Sequence, residues 1–117
     1  MAAPNIVGVT TITGKTAVLA ATTVATAIVA NPAASGKVFK INALYVSNVD
    51  GVGSADISID LFRSSTAYRI SSAIEVIGNT TIDVISKSIY LEEGDSLRLT
   101  ASVDGDLEAV CSYEELS

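Results

Sequence analysis

Apolar and polar residues alternate with a period of two through much of this chain. In "ADISIDLF", Ala55, Ile57, Ile59 and Leu61 share one face, and Asp56, Ser58 and Asp60 share the other. In "DSLRLTASV", Leu97, Leu99, Ala101 and Val103 alternate with Ser96, Arg98, Thr100 and Ser102. Leu107, Ala109, Cys111 and Tyr113 alternate in turn with Glu108, Val110 and Ser112. Successive side chains on a strand point to opposite faces, so each run predicts a strand with one buried and one wet side. "KVFKINALYVSN" places Phe39, Ile41, Ala43 and Tyr45 together, with Leu44 and Val46 thickening the opposite face. That pattern predicts a central strand, or one covered on both sides. "AYRISSAIEV" groups Tyr68, Ile70, Ile74 and Val76, while "TIDVI" and "SIYL" predict shorter strands. In the N-terminal third, "IVGVTTIT" and "TAVLAATTVATAIV" are rich in Thr and Val, residues that fit a pleated surface better than a helix;.

Turn chemistry separates these runs. Asn31-Pro32 and Ser35-Gly36 end the Thr/Ala tract, Asp50-Gly51-Val52-Gly53 divides two strands, and Gly78-Asn79 divides two more. Asp104-Gly105 suits the positive φ of a tight hairpin, and Gly14-Lys15 is expected to form another;. The reading is all-β: a single-domain antiparallel β-sandwich, jelly-roll or immunoglobulin-like, of about eight to nine short strands. Residues 14–117 form the sandwich, and residues 1–13 are either an N-terminal arm or its first strand.

Composition agrees. A chain of 117 residues with 49% apolar and 17% charged residues suits one domain with one core;. Its net charge is −6 and its seven basic residues are scattered. No basic stripe is present to neutralise phosphates, so neither nucleic acid nor an anionic membrane surface is an expected partner. The single cysteine, Cys111, rules out an intrachain disulfide and is expected in the core;. The longest apolar tract, Ala17 to Ala30, is interrupted by threonines and falls short of the ~20 residues that span a bilayer;. No basic region precedes an apolar run at the N-terminus, so the chain reads as mature and soluble.

Two strings invite a catalytic reading. Gly94-Asp95-Ser96-Leu97 spells the nucleophile motif of one hydrolase family. A nucleophilic serine needs a base in reach, nearly always histidine, and the sequence has none;. Nothing marks Lys87 as a buried substitute, so Glu93-Gly94-Asp95 reads as a turn. "GVTTITGKT" resembles a phosphate-binding loop, but five residues rather than four separate Gly8 from Gly14, and no helix is expected to follow;. Without histidine and with one cysteine, transition-metal ligation is not expected. Glu92, Glu93 and Asp95, with Asp104 and Asp106, could hold at most a weak calcium ion, and no EF-hand spacing occurs;. With no Trp, four Tyr and two Phe, a sugar cleft is poorly supplied;. We therefore expect no enzyme, no cofactor and no metal.

Three phrases carry a family resemblance: "PNIVGVTTITGKTAV", "SGKVFKINALYVSNVDG" and the closing "SIYLEEGDSLRLTAS" with "GDLEAVCSYEELS". They resemble small virion structural proteins of tailed bacteriophages, notably marine cyanophages, over about Pro4 to Ser117. The resemblance implies a capsid decoration (cement) protein that is made in the host cytoplasm and binds the outer capsid surface in many copies. Its partner would be the major capsid protein, and it would act as a homo-oligomer. A tail or fibre module is the alternative, with recognition carried by loops such as 50–54 and 64–67. A small loop-acid enzyme or glycan-binding domain is the more distant one. The contact is expected in the N-terminal arm, through Asn5, Ile6, Val7, Val9, Thr10 and Ile12. That segment is apolar, β-prone and terminal, so it could add a strand to a neighbour's edge. It could equally be the first strand of its own sandwich.

Overall fold

A computed structural model describes residues 4–117, which build nine β-strands and no α-helix. The strands are β1 (Ile12–Ala20), β2 (Thr26–Ala30), β3 (Val38–Asn48), β4 (Ala55–Arg63) and β5 (Thr66–Val76). They continue as β6 (Thr81–Asp83), β7 (Ile89–Leu91), β8 (Ser96–Ala101) and β9 (Leu107–Leu116). One sheet runs β1-β9-β3-β6, with β7 also on β3; the other runs β2-β8-β4-β5. Every pairing is antiparallel. The pairs β4·β5, β3·β6 and β3·β7, β2·β8 and β1·β9 are those of one long hairpin, rolled so that its limbs alternate between two sheets. This is the jelly-roll connectivity of a β-sandwich. The hairpin tip is Ser64-Ser65, at φ 52° and 60°, the two-residue turn whose twist matches its flanking strands;.

The core lies between the sheets. Ile41, Leu44 and Val46 from β3 and Cys111 from β9 face Ile57 and Ile59 from β4 and Leu97 and Leu99 from β8, all without solvent exposure. Each large aliphatic side chain buried this way contributes about 1.5–3 kcal/mol. The residues from β4, β8 and β9 are the alternating positions of the sequence pattern and fall inward where that pattern put them; Ile41, Leu44 and Val46, read on opposite faces, reach the same core through a bulge.

Bulges break the pattern elsewhere. In β3, Ile41 pairs with Tyr113 and Ala43 with Ser112, which leaves Asn42 as an extra residue. Phe39 and Ile41 point inward before the bulge, and Leu44 and Val46 point inward after it. The strand is thus one-sided with a phase switch, not covered on both faces, and Tyr45 emerges exposed;. In β5 the register shifts twice, with Ala73 at φ 49°. Ile74 and Val76 pack inward, while Tyr68 and Ile70, expected beside them, are exposed. Gly14-Lys15 is not a hairpin, because β1 runs through both residues in continuous register with β9.

Two buried asparagines fasten the loops. Asn31 Nδ2 donates to the carbonyls of Lys37 (2.9 Å) and Leu91 (3.0 Å), and its Oδ1 accepts from Ser35 Oγ. Asn48 Nδ2 donates to the carbonyls of Gly53 (3.0 Å) and Val76 (2.8 Å), while Oδ1 accepts the Asp50 amide (2.9 Å). The loop that Asn48 organises also explains Gly78. A Cβ there would lie 2.8 Å from the Asp50 carbonyl oxygen, so only glycine lets the two backbones approach;.

Candidate interaction surface

The residues with catalytic overtones are engaged in structure. Glu93 and Gly94 form the turn into β8, with Gly94 at φ 87°. The Asp95 carboxylate is buried and accepts from Arg63 Nε (2.8 Å), Arg63 Nη2 (2.5 Å) and the Glu92 amide (2.8 Å). Burial alone would raise its pKa, but the Arg63 and Glu92 hydrogen bonds outweigh burial and hold it below the usual carboxylate range;. Arg63 also reaches Glu92 (2.8 Å), and the Asp95 hydrogen bond raises the guanidinium further. Ser96 begins β8 between Ala30 and Phe62, and Lys87 lies exposed on the segment between β6 and β7. A depression of about 340 Å³ at this end is lined by Phe62, Arg63, Ser64, Ser65 and the 93–95 turn. In that turn Glu93 Oε2 accepts the Gly36 amide (2.6 Å), and Oε1 is buried without a partner. Asp104 accepts the Thr23 amide (2.8 Å). Among the described residues no three His, Cys, Asp or Glu side chains converge to hold a metal ion, and no helix is long and apolar enough to cross a membrane.

The N-terminal segment departs from its expected form. Asn5 Oδ1 accepts the Val7 amide (3.1 Å), and this local bond winds Ile6–Gly8 into a 3-10 turn in place of the expected strand;. None of the turn's residues is buried; Val7 is 91% exposed and Ile6 is exposed too. Val9 is half-buried. The chain is then tied down: the Thr10 and Thr11 amides both donate to the Ser117 carbonyl (2.9 Å each), and the Ser117 amide donates back to Thr11 (3.0 Å). Ile12 opens β1, exposed. The six candidate contact residues therefore divide between a free turn (Asn5, Ile6, Val7), an anchored joint (Val9, Thr10) and an edge strand (Ile12).

The β1 edge and the face beside it are features that sequence reading missed. Val18, Val110 and Tyr45 stand opposite one another across β1, β9 and β3, and are 74%, 40% and 45% exposed. They form an apolar row on the outer face of the first sheet. Next to it a shallow depression of about 310 Å³ is lined by Val18, Leu19, Ala20, Glu108, Ala109 and Val110. The outer face of the second sheet is polar by contrast: Arg69 Nε donates to the buried Asp60 (2.5 Å), and Arg98 stacks 4.2 Å above the Phe62 ring;. Each run reads as a strand by itself, with no neighbour assigned. Only the pairing of β1, β9 and β3 sets the three residues side by side.

No protein-family model matches this sequence. No curated protein matches it either. Among solved structures, the chain is similar to one from the disulfide-linked pili that form Bacillus endospore appendages. The two share 15% sequence identity and a TM-score of 0.55, over 92% of this chain and 88% of that one. Identity so low speaks to architecture alone, and what it adds is a second instance of this β-sandwich.

Proposed function

We propose that this protein is a structural subunit that works in many copies by contact: a virion structural protein of the capsid decoration type, binding the major capsid protein on the outer capsid surface. The observation that carries the reading is the N-terminal segment. It holds Ile6 and Val7 in solvent on a stiff sandwich whose Arg63, Arg69, Lys15 and Lys37 are already paired with the chain's own acids. Exposed apolar side chains on a short, anchored arm suit docking against a neighbour's edge or groove. Binding only to an assembled lattice would add stability by mass action, multiplied over many copies. The phage-like phrases favour a virion as the setting.

A second reading, a subunit of a pilus-like filament, is favoured by the likeness to the spore-appendage chain over most of both lengths. Covalent links like those of that pilus are not open to this fold. Cys111 is fully buried on β9, and burial pushes its thiol up to about 11;.

The test uses the full chain and a variant lacking residues 2–9, which leaves the Thr10–Ser117 tie intact. Both are added to particles stripped of the protein, and bound copies are counted by gel densitometry. The decoration reading expects hundreds of copies per particle for the full chain and a large loss for the shortened one. Equal occupancy by the two would remove the arm's role. A few copies at one vertex would move the protein to the tail. Filaments of purified protein alone, seen by negative-stain microscopy, would favour the pilus-like reading.

A further inference from the structure

The two sheets end in strand edges that differ sharply in their fitness for pairing. β5 is interrupted by two register shifts, and Ala73 sits in the left-handed region. β2 has five residues and shifts register between Ala27 and Val29. β6 and β7 have three residues each and are interrupted by residues 84–88. β1 is different. It keeps nine residues in unbroken register with β9, from Ile12 opposite Leu116 to Ala20 opposite Glu108, and among the described residues no strand pairs with its other side. Of the usual devices that blunt an edge it holds no proline and no bulge; it carries a single charge, Lys15, which Glu115 meets at 3.0 Å;.

A regular row of backbone donors and acceptors is satisfied by another regular row. Among the described strands the long, unbroken free edge is β1 itself. We infer that β1 is the interface for a second copy of this chain, the two strands pairing antiparallel about a two-fold axis to make one sheet across both molecules. The inference does not depend on where, or in what particle, the protein works.

Charge supports a second copy as the occupant. The chain carries −6, yet its first acidic residue is Asp50; the 49 residues before it hold only Lys15, Lys37 and Lys40. Two acidic copies can therefore approach through β1 with no carboxylate on either edge strand.

Side-chain parity and size select the register. Pairing all of Ile12–Ala20 with its own copy sets Thr16 opposite Thr16 of the partner copy, at the axis. It sets Gly14 opposite Val18 of the partner copy, and Lys15 opposite its Ala17. Gly14 has no need to be glycine within its own fold: its φ is not positive, and a Cβ built there meets nothing within 4 Å. Facing the exposed Val18 of the partner copy, the missing side chain becomes the slot for an isopropyl group, once on each side of the axis. The next register in one direction would set Lys15 against Lys15.

Single cysteines introduced on β1 of the full chain test both the interface and its register, because the native Cys111 is buried. With a short bis-maleimide, Thr16→Cys is expected to cross-link to itself. Gly14→Cys and Val18→Cys alone are not expected to, whereas a mixture of those two is. Separately, Thr16→Lys should weaken self-association roughly fivefold, as like charges directly opposite on paired strands do. Mixing Thr16→Lys with Thr16→Glu should restore it. Circular dichroism and melting curves matching the parent would show that these exposed substitutions leave the monomer folded. Sedimentation equilibrium giving a monomer at every concentration would overturn the inference. So would a Thr16→Cys dimer band no stronger than those of the other two single variants. An oligomer that tolerates Thr16→Lys but is lost without residues 2–9 would overturn it as well, and would place the contact in the arm.

Discussion

Asn48 shows how much one polar residue does in this fold. Its amide group joins three backbone groups, two from the loop after β3 and one from the end of β5, in buried or part-buried bonds. Truncation leaves two carbonyls and one amide unpaired, and a buried unpaired group is costly. Asn48→Ala should therefore destabilise the protein by about 2 kcal/mol, read from the urea midpoint at unchanged slope. Acid sensitivity is set by a second group of residues. Glu115, with a side chain only 12% exposed, lies between Lys15 (3.0 Å) and Lys37 (3.1 Å). Burial would raise its pKa, but the two lysine hydrogen bonds outweigh burial and lower it. Asp95 is likewise lowered, by Arg63 and the Glu92 amide against burial. A carboxyl group depressed in the folded state stabilises above its unfolded pKa, about 4, and loses that contribution as pH falls through the folded value. Stability should thus be flat near neutrality and fall below about pH 4. Arg63→Gln should cost about 1 kcal/mol at neutral pH, discounted for a guanidinium that is 40% exposed;. That difference should shrink as acid protonates Asp95 in both proteins, which melting curves at a series of pH values would show.

At the scale of elements, the bulges decide which face of each strand is wet. Asn42 separates two halves of β3 that both bury their apolar residues against the same core. Deleting Asn42 would join the halves without the phase switch, and a slip of one residue turns every side chain on one half to the opposite face. Either Phe39 and Ile41 or Leu44 and Val46 would then face water. The deletion is expected to abolish cooperative unfolding, seen as loss of a sigmoidal thermal transition. The cause is legible in hindsight. The period-two reading of "KVFKINALYVSN" found apolar residues on both faces, which describes a doubly covered strand and a bulged one equally well. Only the pairing of Ile41 with Tyr113 and Ala43 with Ser112 separates them. "IVGVTTIT" is a strand only from Ile12, for another reason. Its composition favours a strand, but a local Asn5 side-chain bond to the Val7 amide competes with sheet pairing, and among the described residues no strand pairs with Ile6–Gly8 to reward extension;.

Across the whole molecule, β9 is the strand on which both ends of the chain converge. It lies between β1 and β3, so the N-terminal strand, the middle and the C-terminus are held in one sheet. Contacts so distant in sequence form and break together, and Cys111 lies among them with no exposed surface. Its thiol should stay silent toward a thiol reagent in the native protein and react only at the rate of global opening. A label appearing within seconds under native conditions would mean that β9 opens locally. The same arrangement leaves β1 outermost, with an exposed apolar row beside it, and makes the edge of that sheet the natural place for another molecule.

The amino-acid order alone settled the all-β class, the alternating core of β4, β8 and β9, the burial of Cys111 and the want of any imidazole base, because these follow from period, composition and residue chemistry. Tertiary structure decided which strands became edges, where bulges reversed a face, why Gly14 lies within a strand rather than a turn, and how Glu115 came between Lys15 and Lys37. Those outcomes depend on hydrogen bonding between segments as distant as Ile12 and Leu116, and no local pattern encodes which neighbour a strand will have.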